Sequence, residues 1–375
     1  MTLAAGTTRH GNTSLMELKA PAISLGGYDC RGDGMEVVDP CAEAAWDEEA
    51  LSHADGTVFH SSAWARVLAR TYGHRAQYCR FSNGGKLIAL VPLMELRSPL
   101  SGSRGVSLPF TDFCKPLMWA QCDGARLAEN LAALARERKW KYFEIRGAGV
   151  APAGATPSVA FYAHSVKLGA TENLFTSLDP AVRRAVRKAE KSGIEATIAG
   201  SRAAMLDFYR LHVRTRRRHG LPPQPISFFV NIQEQVFEKG LGFISMVRAG
   251  GTAVAAAVFL CHGKKAIYKY GASDEAYQSA RPNNLAMWHG MRHLAGNGYE
   301  TLHMGRTSLD NDGLRQFKLG WGAEESMLEY FKYDTAAAAW TTSGDRVSGI
   351  HNVVFGRLPL SINRVLGRLI YPHLD

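Results

Sequence analysis

The chain has 375 residues, 46% of them hydrophobic and 21% charged, which is ordinary globular composition and excludes a largely disordered protein. One hydrophobic core serves at most about 250 to 300 residues, so two domains are expected. The formal net charge of +10 favours an anionic partner such as a phosphorylated substrate, a nucleic acid or a lipid surface.

Residues 1–35 are rich in Gly, Thr, Ser and Ala and lack the basic and apolar regions of a secretory signal, so a flexible segment is expected there. No apolar run reaches the roughly 18 to 20 residues of a spanning helix, and a soluble, cytoplasmic protein is expected. The six cysteines (Cys30, Cys41, Cys79, Cys114, Cys122, Cys261) include no CxxC pair and no His at metal-ligand spacing, which predicts reduced, mostly buried thiols and no metal site.

From Ser62 to Tyr72 the spacing predicts a helix, followed by the alternating strand AQYCRF and the turn Asn83-Gly84-Gly85. The run LIALVPLMEL predicts one buried strand, with Pro92 marking a bulge or an edge. After VSLPF come a helix over ARLAENLAALARERK, with Leu127, Leu131 and Leu134 at helical spacing, and the strand YFEIRG. Gly147 to Pro157 is small, Gly- and Pro-rich and without periodicity, and is the natural linker.

The second half repeats the order. Helices are predicted over Ala203 to His219 and Phe228 to Lys239, then strand FISMVRA, turn Gly250-Gly251, buried strand TAVAAAVFLC, strand AIYKYG, a helix and strand TLHMG. This order suggests a duplication; two unrelated α/β segments with the same connections are the alternative. The expected domains are 36–150 and 158–335, with 336–375 a linker and an amphipathic tail. In that tail Ile362, Val365, Leu366, Leu369 and Ile370 share a face that either docks on the body or touches an anionic inner-leaflet surface.

Four stretches could carry chemistry. Asp179-Pro180 is a helix start and Gly193 a stop; between them Arg184, Arg187, Lys188 and Lys191 share a face opposite Val182, Val186 and Ala189. From Arg183 to Arg218 eleven Lys or Arg face only three acids, which is either a solvated surface or a polyanion site. Arg214, Arg216, Arg217 and Arg218 crowd a helix C-terminus, where the dipole favours cations and guanidinium forks suit phosphate. The junction after Tyr270, through Arg281 and Asn284, is a place where a strand hands over to a helix, with Leu285, Trp288, Met291, Leu294 and Ala295 as its core stripe. Finally, the polar, Gly-rich loop Gly305 to Gly322 sets Phe317-Lys318 before Gly320-Trp321-Gly322, with Asp310 and Asp312 as turn formers.

The ordered series FHSSAWARVLARTYG, SLPFTDF, RRAVRKAEKSGI, YKYGAS, LHMGRTS and QFKLGWG resembles the FemAB family and its GNAT-like relatives in exopolysaccharide clusters, over about Val37 to Tyr333. FemAB proteins attach amino acids from aminoacyl-tRNA to peptidoglycan precursors. The resemblance implies an α/β fold of mixed α+β sheets, two tandem GNAT-like domains, and a cytoplasmic acyltransferase. It places Lys318 beside the donor ester, where a cation stabilises charge developing on the carbonyl oxygen, and has Phe317 stack on the terminal adenosine. Substrate contacts are then expected from Arg184, Arg187, Lys188, Arg218, Tyr270, Arg281, Asn284 and Arg306. The co-substrate is aminoacyl-tRNA or acyl-CoA, with no cofactor bound permanently; Ala280-Arg281-Pro282-Asn283-Asn284 stands where an acyl-CoA enzyme carries a Gly-rich pyrophosphate loop. The family's coiled-coil arm has no counterpart. The expected acceptor is an amine of a small-molecule or lipid-linked envelope precursor, and peripheral contact with the inner membrane face is the alternative to a docked tail. A nucleic-acid-binding protein or a non-catalytic envelope assembly factor is the rival reading.

Overall fold

The two glycine hairpins and the helices between them fold as the apolar periodicity requires, in a computed structural model that describes residues 34–120, 122–342, 355 and 358–374. The segment expected to be flexible lies outside these residues except Gly34 and Met35, which begin the first strand, and Cys30 lies outside them too.

In the first half, β1 (Gly34–Val38) is followed by α1 (Trp46–Ser52), α2 (Ser62–Tyr72), β2 (Arg75–Ala76) and β3 (Tyr78–Asn83). Then come β4 (Lys86–Val91), β5 (Met94–Ser98), β6 (Gly102–Ser107), β7 (Leu117–Met118), α3 (Gly124–Glu137) and β8 (Tyr142–Arg146). The helix α2 starts where Ser61 Oγ accepts the Trp64 N–H at 3.2 Å and stops at Gly73, whose φ of 72° only glycine adopts cheaply.

In the second half, β9 (Val159–Lys167) leads into α4 (Thr171–Ser177), α5 (Pro180–Glu190), β10 (Glu195–Ala199), α6 (Arg202–Arg218) and α7 (Ile226–Gln235). Next are β11 (Gly242–Ala249), β12 (Thr252–His262), β13 (Lys265–Ser273), α8 (Pro282–Gly296), β14 (Thr301–Ser308), α9 (Asp312–Leu319), β15 (Glu324–Asp334) and β16 (Ala339–Thr341); α10 (Leu360–Ile370) is followed by a short 3-10 turn, Tyr371–His373.

The strand orders bear out a tandem arrangement. One sheet runs β10-β11-β12-β13-β14-β9-β15-β8-β6-β5-β2, with β16 on β15, and a second runs β1-β3-β4-β7. In each half a helical crossover joins a parallel pair: β13 to β14 through α8, and β6 to β8 through α3. Between these pairs lie β9 and β15, which pair with each other; β9 also pairs with β14, and β15 reaches across to β8 of the first half. The sheet is thus continuous across the joint.

Helices fuse the halves on one face. Trp64 on α2 meets Phe228 on α7 edge-on at 6.0 Å, beside Phe208 and Phe229, all four fully buried, and the Asn231 amide donates to Thr71 Oγ1 at 2.9 Å. Each such ring contributes about 1.5 to 3 kcal/mol by burial.

Three expectations are corrected. LIALVPLMEL is two strands in two different sheets, since Pro92 has no N–H for the ladder and the chain crosses between sheets there. The stretch expected as a polar loop contains α9, started by Asn311, whose Oδ1 accepts the Leu314 N–H at 3.0 Å. The tail docks, but not by its apolar stripe: Asn363, Gly367 and Tyr371 are the buried positions, and Gly367 allows an approach to Pro223 that a Cβ, 2.0 Å from the Pro223 carbonyl oxygen, would block. No helix of the described residues is long and apolar enough to cross a membrane.

Candidate active site

Lys318 is the organising charge. It sits on the inner face of α9 and is 3% exposed, and its Nζ donates to the carbonyls of Gly305 and Arg306 at 2.8 and 2.9 Å. Those carbonyls turn toward it because β14 loses register with β9 between His303 and Arg306, a bulge that Gly305 accommodates at φ 75°. Burial lowers the Lys318 ammonium from 10.5 to about 8, with Asp112 opposing the shift. At neutral pH it is a cation with little water around it, a strong electrostatic partner for developing negative charge.

Asp112 arrives from the other half on the loop after β6. Arg146 fixes that loop by donating to the carbonyls of Leu108 and Thr111 at 2.8 and 3.0 Å, and Tyr330 donates its hydroxyl to the Asp112 carbonyl. Its carboxylate pairs with Lys269 on β13 at 3.0 Å. Burial pushes the Asp112 carboxyl up, but Lys269, Arg306 and His303 outweigh it and hold it below 3.8. A Cβ on Gly305 would lie 3.4 Å from Asp112 Oδ2, so glycine at that bulge also leaves room for the carboxylate.

Two histidines flank the lysine. His303 on β14 is lowered to about 4 by burial, and its Nδ1 accepts the Gly305 N–H at 3.0 Å. His164 on β9, fully buried, is lowered by burial and by Lys318; its Nε2 lies 3.1 Å from Glu325 Oε2, and its Nδ1 lies 3.5 Å from Thr307 Oγ1. Glu325 is in turn gripped by Arg315 of α9 at 2.7 and 2.8 Å. Both histidines are therefore neutral near pH 7, with Nδ1 engaged.

The other expected residues fall in three places. Phe317, 37% exposed, lies on the outer side of α9 against Trp321, at 6.2 Å, and Arg306 stacks on Phe161 at 4.4 Å while donating to the Tyr330 hydroxyl at 2.7 Å. Tyr270 faces the shared aromatic core beside Phe229, with its hydroxyl raised well above 10 by burial.

The basic helix α5 spans from α9 to the start of α8: the Asp179 N–H donates to the Gly320 carbonyl at 3.0 Å, and Ser192 Oγ reaches the Ala280 carbonyl at 3.5 Å. Along it Arg184, Arg187, Lys188 and Lys191 are exposed and form no ion pair with a described residue. Arg281 and Asn284 sit at its far end, at the head of α8. Arg218 is on the other side of that junction, in a groove with Arg214, Arg217, Asp274 and Glu275, where Arg214 pairs with Asp274 at 2.6 Å.

The head of α8 is not an open phosphate cradle. Pro282 lacks an N–H, and the Asn284 and Leu285 N–H groups donate to the Arg281 carbonyl at 3.0 and 3.4 Å. An anion there would be held mainly by the side chains around the junction. Asp310 and Asp312 face solvent. The described cysteines are all free; burial raises Cys79 and Cys261 to about 12, so neither is a ready nucleophile, and no group of three His, Cys, Asp or Glu among the described residues could hold a metal ion.

Sequence reasoning overlooked Asp112, Lys269, His164, His303, Arg315 and Glu325. Three of these stand inside the quoted stretches SLPFTDF, YKYGAS and LHMGRTS; for Lys269 and His303 the signal was a lone charge or imidazole in an otherwise largely uncharged strand, and for Asp112 a lone acid beside aromatic residues in a loop.

Comparison with known proteins agrees with this architecture. Residues 180–332 match the family model described as an acetyltransferase (GNAT) domain, so the acyltransferase class is borne out for the half that contains Lys318. Among solved structures the chain is similar to FemX, at 16% identity and TM-score 0.60 over 79% of this chain and 96% of that one. It is also similar to the C-terminal domain of a putative lysylphosphatidylglycerol synthetase from Agrobacterium fabrum, at 15% identity and TM-score 0.50 over 82% and 95%. A third is a tandem GNAT protein from the clavulanic acid biosynthesis pathway, at 12% identity and TM-score 0.52 over 80% and 99%. These likenesses establish the tandem GNAT fold. No curated protein matches the sequence.

Proposed function

We propose that this chain, whose second half is a GNAT-type acyltransferase domain, moves an acyl or aminoacyl group from an activated donor to an amine of a small-molecule or lipid-linked cell-envelope precursor. The observation that carries the reading is Lys318, a buried cation anchored to the β14 bulge at the point where β13 and β14 part. The acceptor nitrogen attacks the donor carbonyl, and the oxygen gains charge that Lys318 stabilises. The ester or thioester bond then breaks as the amide forms, and the donor leaves as a hydroxyl or thiol carrying the proton lost by the amine.

For the donor, aminoacyl-tRNA and acyl-CoA both stand. The GNAT family match favours acyl-CoA. The blocked head of α8 and the exposed cations of α5, which form no ion pair with a described residue, favour a polyanion held along a surface, as tRNA would be, and exposed Phe317 suits stacking on a terminal adenosine. For the acceptor, the resemblance to FemAB proteins points to a peptidoglycan or exopolysaccharide precursor, and the Agrobacterium neighbour's name points to an aminoacylated lipid.

The test is a binding titration with acetyl-CoA and with alanyl-tRNA, followed by transfer to UDP-N-acetylmuramyl pentapeptide read by mass. Saturable binding of one donor, with transfer abolished in Lys318→Ala, is the expected result. Binding of neither donor would sink the reading. Salt-dependent binding of any RNA, charged or uncharged and indifferent to Lys318, would favour a nucleic-acid-binding protein instead.

A further inference from the structure

The tail helix α10 is firmly docked and yet turned the wrong way round for an ordinary surface helix. Its inward positions are Asn363, Gly367 and Tyr371. Arg216 donates to the Tyr371 hydroxyl at 2.8 Å, that hydroxyl donates to the Pro222 carbonyl at 3.2 Å, and Arg104 donates to the His373 carbonyl at 2.7 Å. Phe110 packs on the Tyr371 ring at 5.6 Å. Polar and small groups therefore hold the helix.

The apolar ridge is left outside. Ile362, Val365 and Leu369, at i, i+3 and i+7, are 47, 58 and 61% exposed, and Leu374 follows just beyond them. Beside the ridge a groove of about 800 Å³ runs between α10, the end of α2 and the start of α7; Ile226 and Val365 line it, and among the described residues its charged ones are Arg70, Arg364 and Arg368, with no acid. Helices in contact with water bury such a ridge and expose their polar face; this one does the reverse while staying anchored.

We infer that this face of the protein is a docking surface for an anionic lipid bilayer, with Ile362, Val365 and Leu369 entering the acyl boundary and Arg70, Arg364 and Arg368 meeting headgroup phosphates. Charge complementarity selects the occupant: an apolar strip beside a groove lined by Arg70, Arg364 and Arg368 matches a bilayer carrying negative headgroups better than it matches a second copy of itself, which would set arginine against arginine. The anchoring contacts hold the strip in place, so binding requires no refolding of the tail. This surface is separate from Lys318 and stands whether or not the transfer reading does.

The experiment is co-sedimentation of the full chain with vesicles of phosphatidylcholine alone and of phosphatidylcholine with about one third phosphatidylglycerol. Two variants accompany it, Val365→Ser/Leu369→Ser and Arg70→Glu/Arg368→Glu, with thermal melting and light scattering on each. The native protein is expected to sediment with the anionic vesicles and not the neutral ones. Both variants should bind about tenfold or more weakly at unchanged melting temperature. Absence of native binding to anionic vesicles overturns the inference, as does equal binding by both variants. A native dimer that the Val365→Ser/Leu369→Ser variant turns monomeric, without vesicle binding by either, would assign the ridge to a second copy instead.

Discussion

The two halves share an order of elements but not a job. In the second half β12 is one unbroken strand of 11 residues, and the connection after β14 is a helix that delivers Lys318. In the first half the equivalent strand is broken at Pro92, and the connection after β8 has no helix. Where β6 and β8 pair, Trp140 fills the space: a Cβ on Gly105 would lie 2.3 Å from its ring, and its indole N–H donates to Glu95 at 3.1 Å. The first half has become a support. It closes its own cleft with Trp140 and lends the loop with Asp112 to the other half, so of the two tandem frames the second is the one that gathers Lys269, His303 and Lys318 around that carboxylate.

Asp112→Asn breaks that loan most severely, because it leaves Lys269 buried without its partner. A loss of about 3 to 5 kcal/mol in denaturant unfolding is expected, largely recovered in Asp112→Asn/Lys269→Met. An equally large loss in the double variant would show that the loop itself, not the pair, joins the halves.

Next in size is Lys318→Ala, which should lower kcat about 10²- to 10³-fold with the circular dichroism spectrum retained. The pH dependence sharpens the assignment. Because Lys318 is lowered to about 8 in the fold, kcat/KM should fall as pH rises through that value, and Lys318→Arg should move this limb upward. Stability should run the other way: between about 8 and 10.5 the unfolded chain holds the proton that the folded one has lost, so this group's contribution rises with pH. Melting temperatures across that window, native against Lys318→Met, check the sign.

Changing Arg184, Arg187 and Lys188 together to Ala should weaken donor binding about tenfold and flatten its salt dependence, leaving the melting temperature unchanged, because these side chains are exposed. The smallest effect belongs to the supporting half: Trp140→Phe should cost about 1 to 2 kcal/mol of stability through its lost bond to Glu95 and leave transfer rates alone. A rate effect comparable to that of Lys318→Ala would end the division of labour between the halves.

Local signals made much of the frame legible. Helix α2 has its expected limits because Ser61 and Gly73 punctuate a clean apolar period, and α5 starts at Asp179-Pro180 because the carboxylate caps the Ala181 N–H at 2.6 Å. The joint between the halves was not legible: β9 and β15 mix polar and apolar positions without clear alternation, and the pairing of β15 with β8 of the first half is set by residues distant in sequence. The site was half legible. Phe317-Lys318 stood out through a family likeness, whereas Asp112, Lys269 and His164 each look like an isolated polar residue until β9, β13 and the loop after β6 are brought together.

The proposed transfer puts the donor on the second half, between α5 and α9. Hydrogen–deuterium exchange of the full chain, with and without saturating alanyl-tRNA or acetyl-CoA, tests it directly. At least one donor is expected to slow exchange over residues 180–191 and 301–320 and to leave the first-half crossover, residues 102–107 and 124–146, as it was. Protection confined to that first-half crossover, or none with either donor, would contradict it.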